Sequence, residues 1–234
     1  RDLRMSRGLG DVYKRQPLNA IFGFETLGIC DNQELYDKYA PMMQKYNPKW
    51  GMGDIIIKDR TGEGVINDED RTVIGNSIPR FTFGLNLGFE YKGFDFSCFF
   101  QGVGKADGYV TMEAIQPMGI NGARKEHYKE SFNPQDPKPG AYFPRILSSD
   151  YNYAYMSHWV QDASYIRLKN LQIGYSFKIK GLNQLRVYAS GENLFTATKY
   201  RTWDPETPVG ARGFYPNVAV YSMGVNLNFC LLYT

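Results

Sequence analysis

The chain has 234 residues, 43% of them hydrophobic and 15% aromatic, with 18 Tyr and 15 Phe, which excludes a disordered, highly charged polypeptide. Its formal charge of +3 resides in the first 16 residues, the remainder balancing acid and base, so no nucleic-acid partner is indicated. No stretch approaches the roughly 18 consecutive apolar residues of a membrane helix, and three cysteines without CxxC spacing speak against a zinc site or disulfide framework.

The head, "RDLRMSRGLGDVYKRQ", has neither an apolar core nor periodicity and is neither a signal peptide nor a structural element. It resembles translated sequencing-adaptor read-through, as does the tail "CLLYT". Residues 1–16 and 230–234 are therefore expected to be artefacts, and 17–229 to be a segment of a protein that begins far upstream.

A weak strand is expected in "NAIFGFETLGI", residues 19–29. The next element that stands out is "DRTGEGVINDED", residues 59–70, which follows the spacing of an EF-hand calcium loop. Its ligand positions fall on Asp59, Thr61, Glu63, the carbonyl of Val65, Asn67 and Asp70, with Gly64 at the sharp turn and Ile66 in the apolar slot. Thr61 stands where Asp or Asn is usual, and Asp70 is shorter than the bidentate Glu. An ion held by such a cage would bind weakly, at about 10⁻⁴ to 10⁻³ M. The competing reading is a solvated acidic turn in which Gly62 and Gly64 serve only backbone geometry. On either reading the loop stiffens a connection and needs no flanking helices.

The strongest signal follows at once. In "FTFGLNLGFEY", Phe81, Phe83, Leu85, Leu87, Phe89 and Tyr91 take every second position against Thr82, Gly84, Asn86, Gly88 and Glu90, giving one apolar and one small or polar face. After a tight Lys92-Gly93 turn, Phe94, Phe96, Cys98 and Phe100 continue the apolar row, with Phe99 intruding on the polar one; this is a hairpin. A third strand is expected over roughly 159–177. Its apolar parity flips at Lys169-Asn170, which predicts a bulge that returns the apolar set to one face. A fourth runs through Leu185, Val187, Ala189, Gly191 and Phe195, and a last through Ala219, Tyr221, Met223, Val225, Leu227 and Phe229.

The connections alternate between long (30–79, 103–158, 196–217) and short (92–93, 178–184). Long loops on one side, tight turns on the other and strands of about 9–13 residues describe a transmembrane β-barrel with external loops and periplasmic turns. The expected fold class is thus all-β: the C-terminal part of an antiparallel transmembrane barrel, about six strands. A soluble β-sandwich also alternates apolar and polar residues, but aromatic residues at both strand ends and a Gly/Asn/Ser/Thr-rich opposite face favour lipid outside and water inside.

The run "GDIIIKDRTGEGVINDEDRTVIGNSIPRFTFGLNLGFEYKGFDFSCFFQGVG", followed in order by "DASYIRLKNLQIGYSF", "LRVYASGENLFTATKY" and a last strand ending at Phe229, closely resembles the C-terminal barrel of SusC/RagA-type TonB-linked outer-membrane transporters. The resemblance spans residues 17–229. It implies a wide, plugged barrel in the outer membrane of a Bacteroidetes-like bacterium, importing oligosaccharides or peptides too large for porins. It also implies a SusD-like surface lipoprotein as lid and TonB as energy source. The plug and TonB box are expected outside this sequence.

No catalytic residues are indicated: His127 and His158 lack motif partners, and no GxSxG or HExxH occurs. "GVGKADG" at 102–108 lacks the GK[ST] ending of a phosphate loop and reads as a strand exit. "NPQDPKPGAYFPR" reads as an extended loop segment. Among the aromatic residues of the 103–158 connection, Tyr153, Tyr155 and Trp159 are the candidates for stacking on a sugar cargo, against packing or an interfacial position. Two other functions compete with active import. One is a soluble calcium-stabilised carbohydrate-binding or dockerin-like module, which would need a second calcium loop for the dockerin; the other is a passive porin.

Overall fold

The computed structural model describes residues 19–110, 115–117, 125–137, 139–146, 151–179, 184–201, 204–206 and 217–229. The expectations for 1–16 and 230–234 lie outside the described residues. Among the described residues the chain divides into two units, one from residues 19–78 and 107–161, the other from 79–106, 162–206 and 217–229.

In the first unit the 19–29 segment forms two short strands, β1 (Ala20–Phe24) and β2 (Thr26–Ile29). Asn32 then caps helix α1 (Gln33–Tyr46), its side-chain oxygen accepting the Leu35 amide at 2.9 Å. β2 pairs antiparallel with β3 (Ile55–Ile57), and β1 with β4 (Arg71–Asn76). The second connection adds β7 (Asp107–Tyr109) paired with β8 (Val160–Asp162), and a short helix α2 (Lys125–Glu130). Phe24 and Met156 form an isolated bridge between the two connections.

The core of this unit is aromatic and aliphatic: Trp50, Ile55, Ile56, Ile57, Phe132, Tyr153 and Trp159 are buried. At its centre lies a buried carboxylate, Asp54. Arg145 donates to both of its oxygens, at 2.8 and 2.6 Å, Asn152 donates to Oδ1 at 2.9 Å, and the Gly51 amide to Oδ2 at 2.9 Å. Asn152 turns its own oxygen to the Ile55 amide at 3.0 Å. Residues 91 to 98 positions apart are thus clasped by one charge whose lone pairs are all engaged.

The second unit is a five-stranded antiparallel sheet in the order β11-β10-β9-β6-β5, with β5 at Phe81–Tyr91, β6 at Phe94–Gly104, β9 at Tyr165–Phe177, β10 at Gln184–Thr198 and β11 at Val220–Asn228. The expected hairpin and the last two strands are present. The tight turn carries Lys92 at φ 50 and Gly93 at φ 88, the left-handed pair that matches strand twist.

The bulge falls where the parity flip placed it. Between Phe99↔Asn170 and Phe100↔Leu168, Lys169 has no partner on β6, and on the other side Asn193 and Leu194 of β10 stand against it between Glu192↔Asn170 and Phe195↔Leu168. The extra residue rotates the strand by one position, so Ile166 and Leu168 share a face with Leu171, Ile173, Tyr175 and Phe177.

Two expectations need correction, and one element is new. The 19–29 stretch is not a sixth stave: at 5 and 4 residues β1 and β2 are far short of the 9–11 a tilted span needs, and they pair with β4 and β3. The 30–79 connection contains a helix, one that its Asn32 cap and the buried Ala40 and Met43 mark, although Pro41 disguises it. Residues 133–145 fold back rather than extend, Ser131 bridging Phe143 and the Phe132 amide bonding the Phe143 carbonyl at 2.9 Å.

In the full-length protein, Asp54→Ala leaves the Arg145 guanidinium without its counter-charge and is expected to cost the first unit about 3 kcal/mol. Denaturant titration of proteolytic protection around residues 50–60 measures it; a loss below about 1 kcal/mol would mean that the clasp contributes no more than a surface pair.

Candidate functional site

Three features of the chain bear on function: the two faces of the sheet, the acidic loop, and the aromatic residues of the second connection.

The register places the whole apolar set on one face. Phe83, Leu85, Leu87 and Phe89 lie opposite Gly102, Phe100, Cys98 and Phe96. Those in turn face Ile166, Leu168, Leu171 and Ile173, then Ala197, Phe195, Gly191 and Ala189, and finally, beyond the last two, Tyr221 and Met223. This face is open: Phe81, Phe83, Leu85, Leu87, Phe89 and Tyr91 are 49–65% exposed, and no second sheet covers them among the described residues. It is also closely fitted, because the Phe83 ring lies where a side chain at Gly102 would stand. Rings gather at the tight-turn end, with Phe89 5.7 Å from Phe94 and 5.3 Å from Phe96, and Tyr175 4.7 Å from Phe177.

The opposite face is polar: Asn86, Ser97, Gln101, Asn170, Gln172, Ser190, Ser222 and Asn226. Phe99, the intruder in the pattern, packs over Gly84, and Tyr188 over Gly224. Asp95 of β6 reaches across β9 to Arg186 of β10, in two hydrogen bonds of 2.9 and 2.5 Å. It does so over Gly174, the residue between them, where any side chain would collide with both. Among the polar side chains of this face one stands apart: Arg167 is almost completely buried, held by Asp204, Glu206 and Thr196.

The acidic loop closes on itself. Asp59 accepts the Gly62 amide at 2.6 Å on Oδ1 and the Gly64 amide at 2.7 Å on Oδ2. Asp70, fully buried, accepts the amides of Arg60 at 2.9 Å and Thr61 at 3.0 Å and the Thr61 hydroxyl at 3.1 Å on Oδ1, and the Asn67 amide at 3.0 Å on Oδ2. Asn67 spends its side-chain oxygen on the Glu69 amide at 2.7 Å, capping a single 3₁₀ turn over Asp68–Asp70. Gly62 and Gly64 have φ of 78 and 73, the left-handed geometry that glycine takes at no steric cost. Ile66 is buried, and Glu63 and Val65 are exposed. Burial works to raise the Asp70 pKa, but the Asn67, Thr61 and Arg60 amides and the Thr61 hydroxyl outweigh it and hold the carboxyl below the usual carboxylate range.

Of the six residues, Asp59, Thr61, Asn67 and Asp70 meet around one turn, and the carboxylate oxygens of Asp59 and Asp70 face backbone hydrogens. Among the described residues no group of three or more His, Cys, Asp or Glu is assembled as for a metal ion. The set fits a calcium cage poorly: Asp70 already accepts four hydrogen bonds, the number its lone pairs allow.

Of the three aromatic candidates, Trp159 and Tyr153 are core residues. Trp159 donates to the Asn152 carbonyl at 2.7 Å and Tyr153 stacks beside it at 6.1 Å, so neither presents a ring to a cargo; burial pushes the Tyr153 phenol up to about 12. Only Tyr155 is exposed, its ring stacked on Tyr109 at 4.8 Å. His158 is a packing residue too. Its Nε2–H donates to the Tyr142 carbonyl at 2.7 Å, and burial lowers its pKa, keeping it neutral. The Cys30 thiol is pushed up to about 11, by burial first and by Asp31 and Asp54 next, which makes it an unreactive core group. Residues 102–108 are a strand exit as expected, turning at Lys105 with φ 52.

An open antiparallel sheet with a continuous apolar outer face and a polar inner one has the build of an outer-membrane barrel wall, and the comparisons with known proteins agree. TonB-dependent receptor P3 of Formosa agariphila is 31% identical over 238 residues, which is 92% of this chain and 22% of the receptor. TonB-dependent receptor SusC of Bacteroides thetaiotaomicron is 27% identical over 74% of this chain and 17% of its own length. The RagAB peptide transporter matches the fold over 89% of this chain and 22% of that chain, at a TM-score of 0.66 and 21% identity, and the RagAB importer in its 'open-open' state at 0.64 and 22%. No protein-family model matches the chain. The expected kinship stands: the chain is a homologue of the TonB-dependent receptors, SusC among them, and spans about a fifth of their length. These relatives are named as receptors and transporters, not as enzymes.

Because the folded-state pKa of Asp70 is depressed, its contribution to loop stability is complete above the unfolded carboxylate value of about 3.9 and is lost as pH falls through the lower folded value. Proteolytic protection at Arg60 in the full-length protein is expected to hold down to about pH 4 and to fail below it. Asp70→Asn, which loses acceptor capacity toward Asn67, should weaken protection by about 1–3 kcal/mol at neutral pH; an unchanged profile would mean that Asp70 does not close the loop.

Proposed function

We propose that this chain is a C-terminal part of a TonB-dependent outer-membrane transporter, residues 17–229 forming barrel wall and external connections. The observation that carries the reading is the two-faced sheet: apolar along every strand on one side and openly exposed along β5 and β11, polar with an inter-strand ion pair on the other. In water the first face would be an aggregation surface; in lipid it is the correct solvent contact. The tight turn at Lys92-Gly93 and the short 178–184 connection belong on the periplasmic side. The long connections 30–79, 103–158 and 196–217 belong outside. The soluble carbohydrate-binding alternative loses its support with the Phe81–Tyr91 row uncovered.

The cargo class follows from kinship: oligosaccharides or peptides too bulky for a porin, delivered under a SusD-like surface lipoprotein and driven by TonB. The likeness to SusC and to the RagAB peptide importer supports this reading. Tyr155, exposed and stiffened by Tyr109, is the aromatic residue of the three that remains available to a cargo. The acidic loop is structural, closed by Asp59 and Asp70 instead of by an ion.

Spin labels in the full-length receptor reconstituted in bilayers test the first claim. Labels at Leu85 and Leu87 are expected to be relaxed by oxygen dissolved in lipid, and labels at Asn86 and Ser97 not; equal relaxation at both sets would overturn the membrane wall. For the loop, calcium titration of the same protein to millimolar concentration should give no binding heat in wild type or in Asp59→Asn, and saturable heat lost in that variant would restore the ion.

A further inference from the structure

On a face where polar side chains meet solvent, a buried arginine means that something covers it. Arg167 lies on the polar side of β9, two residues before the bulge and toward the end of the sheet opposite the tight turns. Every nitrogen of its fork is engaged: Nε donates to the Thr196 hydroxyl at 2.8 Å, one terminal nitrogen to Glu206 at 3.0 Å, and the other to both oxygens of Asp204, at 2.8 and 2.7 Å. Thr196 is its own cross-strand neighbour's side chain, since Arg167 pairs with that residue. The carboxylates come from residues 37 and 39 positions away, in the connection after β10.

Glu206 is a second knot. Besides Arg167 it accepts from the Tyr165 hydroxyl at 2.9 Å, from Lys169 at 3.1 Å and from the Asn217 amide nitrogen at 2.6 Å. Burial would raise its pKa, but Lys169, Tyr165 and Arg167 outweigh that and keep the carboxyl charged. Asp204 also caps the segment internally, accepting the Glu206 amide at 2.9 Å. Two cations and two anions cancel, every group is bonded, and Glu206 also ties the connection to Asn217, just before β11.

We propose that Arg167 is a positioning residue that pins residues 204–206 as a strap over the polar face of β9, so that this wall of the barrel is covered at its outer end before any cargo arrives. The inference rests on the barrel reading for the words wall and outer; the strap itself rests only on the contacts. The bulge contributes directly, because Lys169 is the unpaired residue and its ammonium reaches Glu206. Removing Arg167 leaves two carboxylates facing each other and releases the strap, whereas removing a carboxylate together with Arg167 leaves much less unpaired charge.

The test is trypsin cleavage after Lys199 and Arg201 in the purified full-length transporter. Arg167→Gln is expected to raise the cleavage rate on the order of a hundredfold, since cleavage follows the population of the open segment. Asp204→Asn should do the same, and the double variant no more than either alone. Unchanged cleavage in both single variants, or additive effects in the double, overturns the strap. Barrel folding is monitored by heat-modifiable gel migration, and if Arg167→Gln does not fold, Glu206→Gln serves in its place with the same expected rise and the same overturning result. Repeating the digest on intact cells separates the two readings. Cleavage of the variants in detergent but not on cells leaves the strap standing and refutes the outward placement, while cleavage in both supports strap and placement together.

Discussion

Lipid offers no hydrogen bonds, so a strand that crosses it must satisfy every backbone group through its neighbours and must sort its side chains by parity alone. The second unit obeys this. Eleven consecutive pairs join β5 to β6, and nine join β10 to β11, without a break. Parity then carries the rest of the design: an apolar row on one face, a polar row on the other, and among the described strands no position where the two can exchange without a bulge. At the one place where the sequence slips by a residue, Lys169, the bulge restores the parity, and its freed side chain is used on the polar side.

Glycines make the two faces close-packed. Phe83 lies over Gly102 on the apolar face, and Phe99 and Tyr188 lie over Gly84 and Gly224 on the polar one. A large ring on one strand and no side chain on its neighbour fill the space of two average residues with one rigid group, which orders the surface at small conformational cost. Gly174 does the same for charge, leaving room for Asp95 and Arg186 to meet across an intervening strand. These glycines therefore specify which inter-strand contacts form.

The sheet was legible in the sequence because period two is a local signal. Phe81–Tyr91, the hairpin turn, the flip at Lys169 and the last two strands could all be read within windows of a dozen residues. The first unit was much less so. Its strands are three to six residues long, its longer helix contains a proline, and its order comes from Asp54, Arg145 and Asn152, whose partnership spans more than ninety positions and leaves no periodic trace. Trp159 and Tyr153 illustrate the cost: composition marks them as aromatic residues in a long connection, but only packing decides whether a ring faces cargo or core. The acidic loop is an intermediate case. Its spacing correctly announced a tight turn around Asp59 and Asp70, because calcium loops and hydrogen-bonded acidic turns need the same glycines and the same short carboxylates; what fills the centre is decided by where the amides point. Arg167 was invisible for a different reason, being one arginine among many until Asp204 and Glu206 were placed over it.

The two free edges of the sheet complete the argument about what this chain is part of. β5 and β11 each expose a full row of unpaired backbone groups, nine to eleven residues long, a length that in water templates aggregation and in lipid cannot persist. The strands that precede β5 do not relieve it, since β1 to β4 pair among themselves and are too short to cross. On the proposed reading their partners are strands elsewhere in the full-length protein, and relatives about five times as long as this chain have the length to supply them. On the proposed reading, closure of the sheet into a barrel removes both edges, and it is that closure which gives the apolar face, the polar face and the strap their outside, inside and mouth.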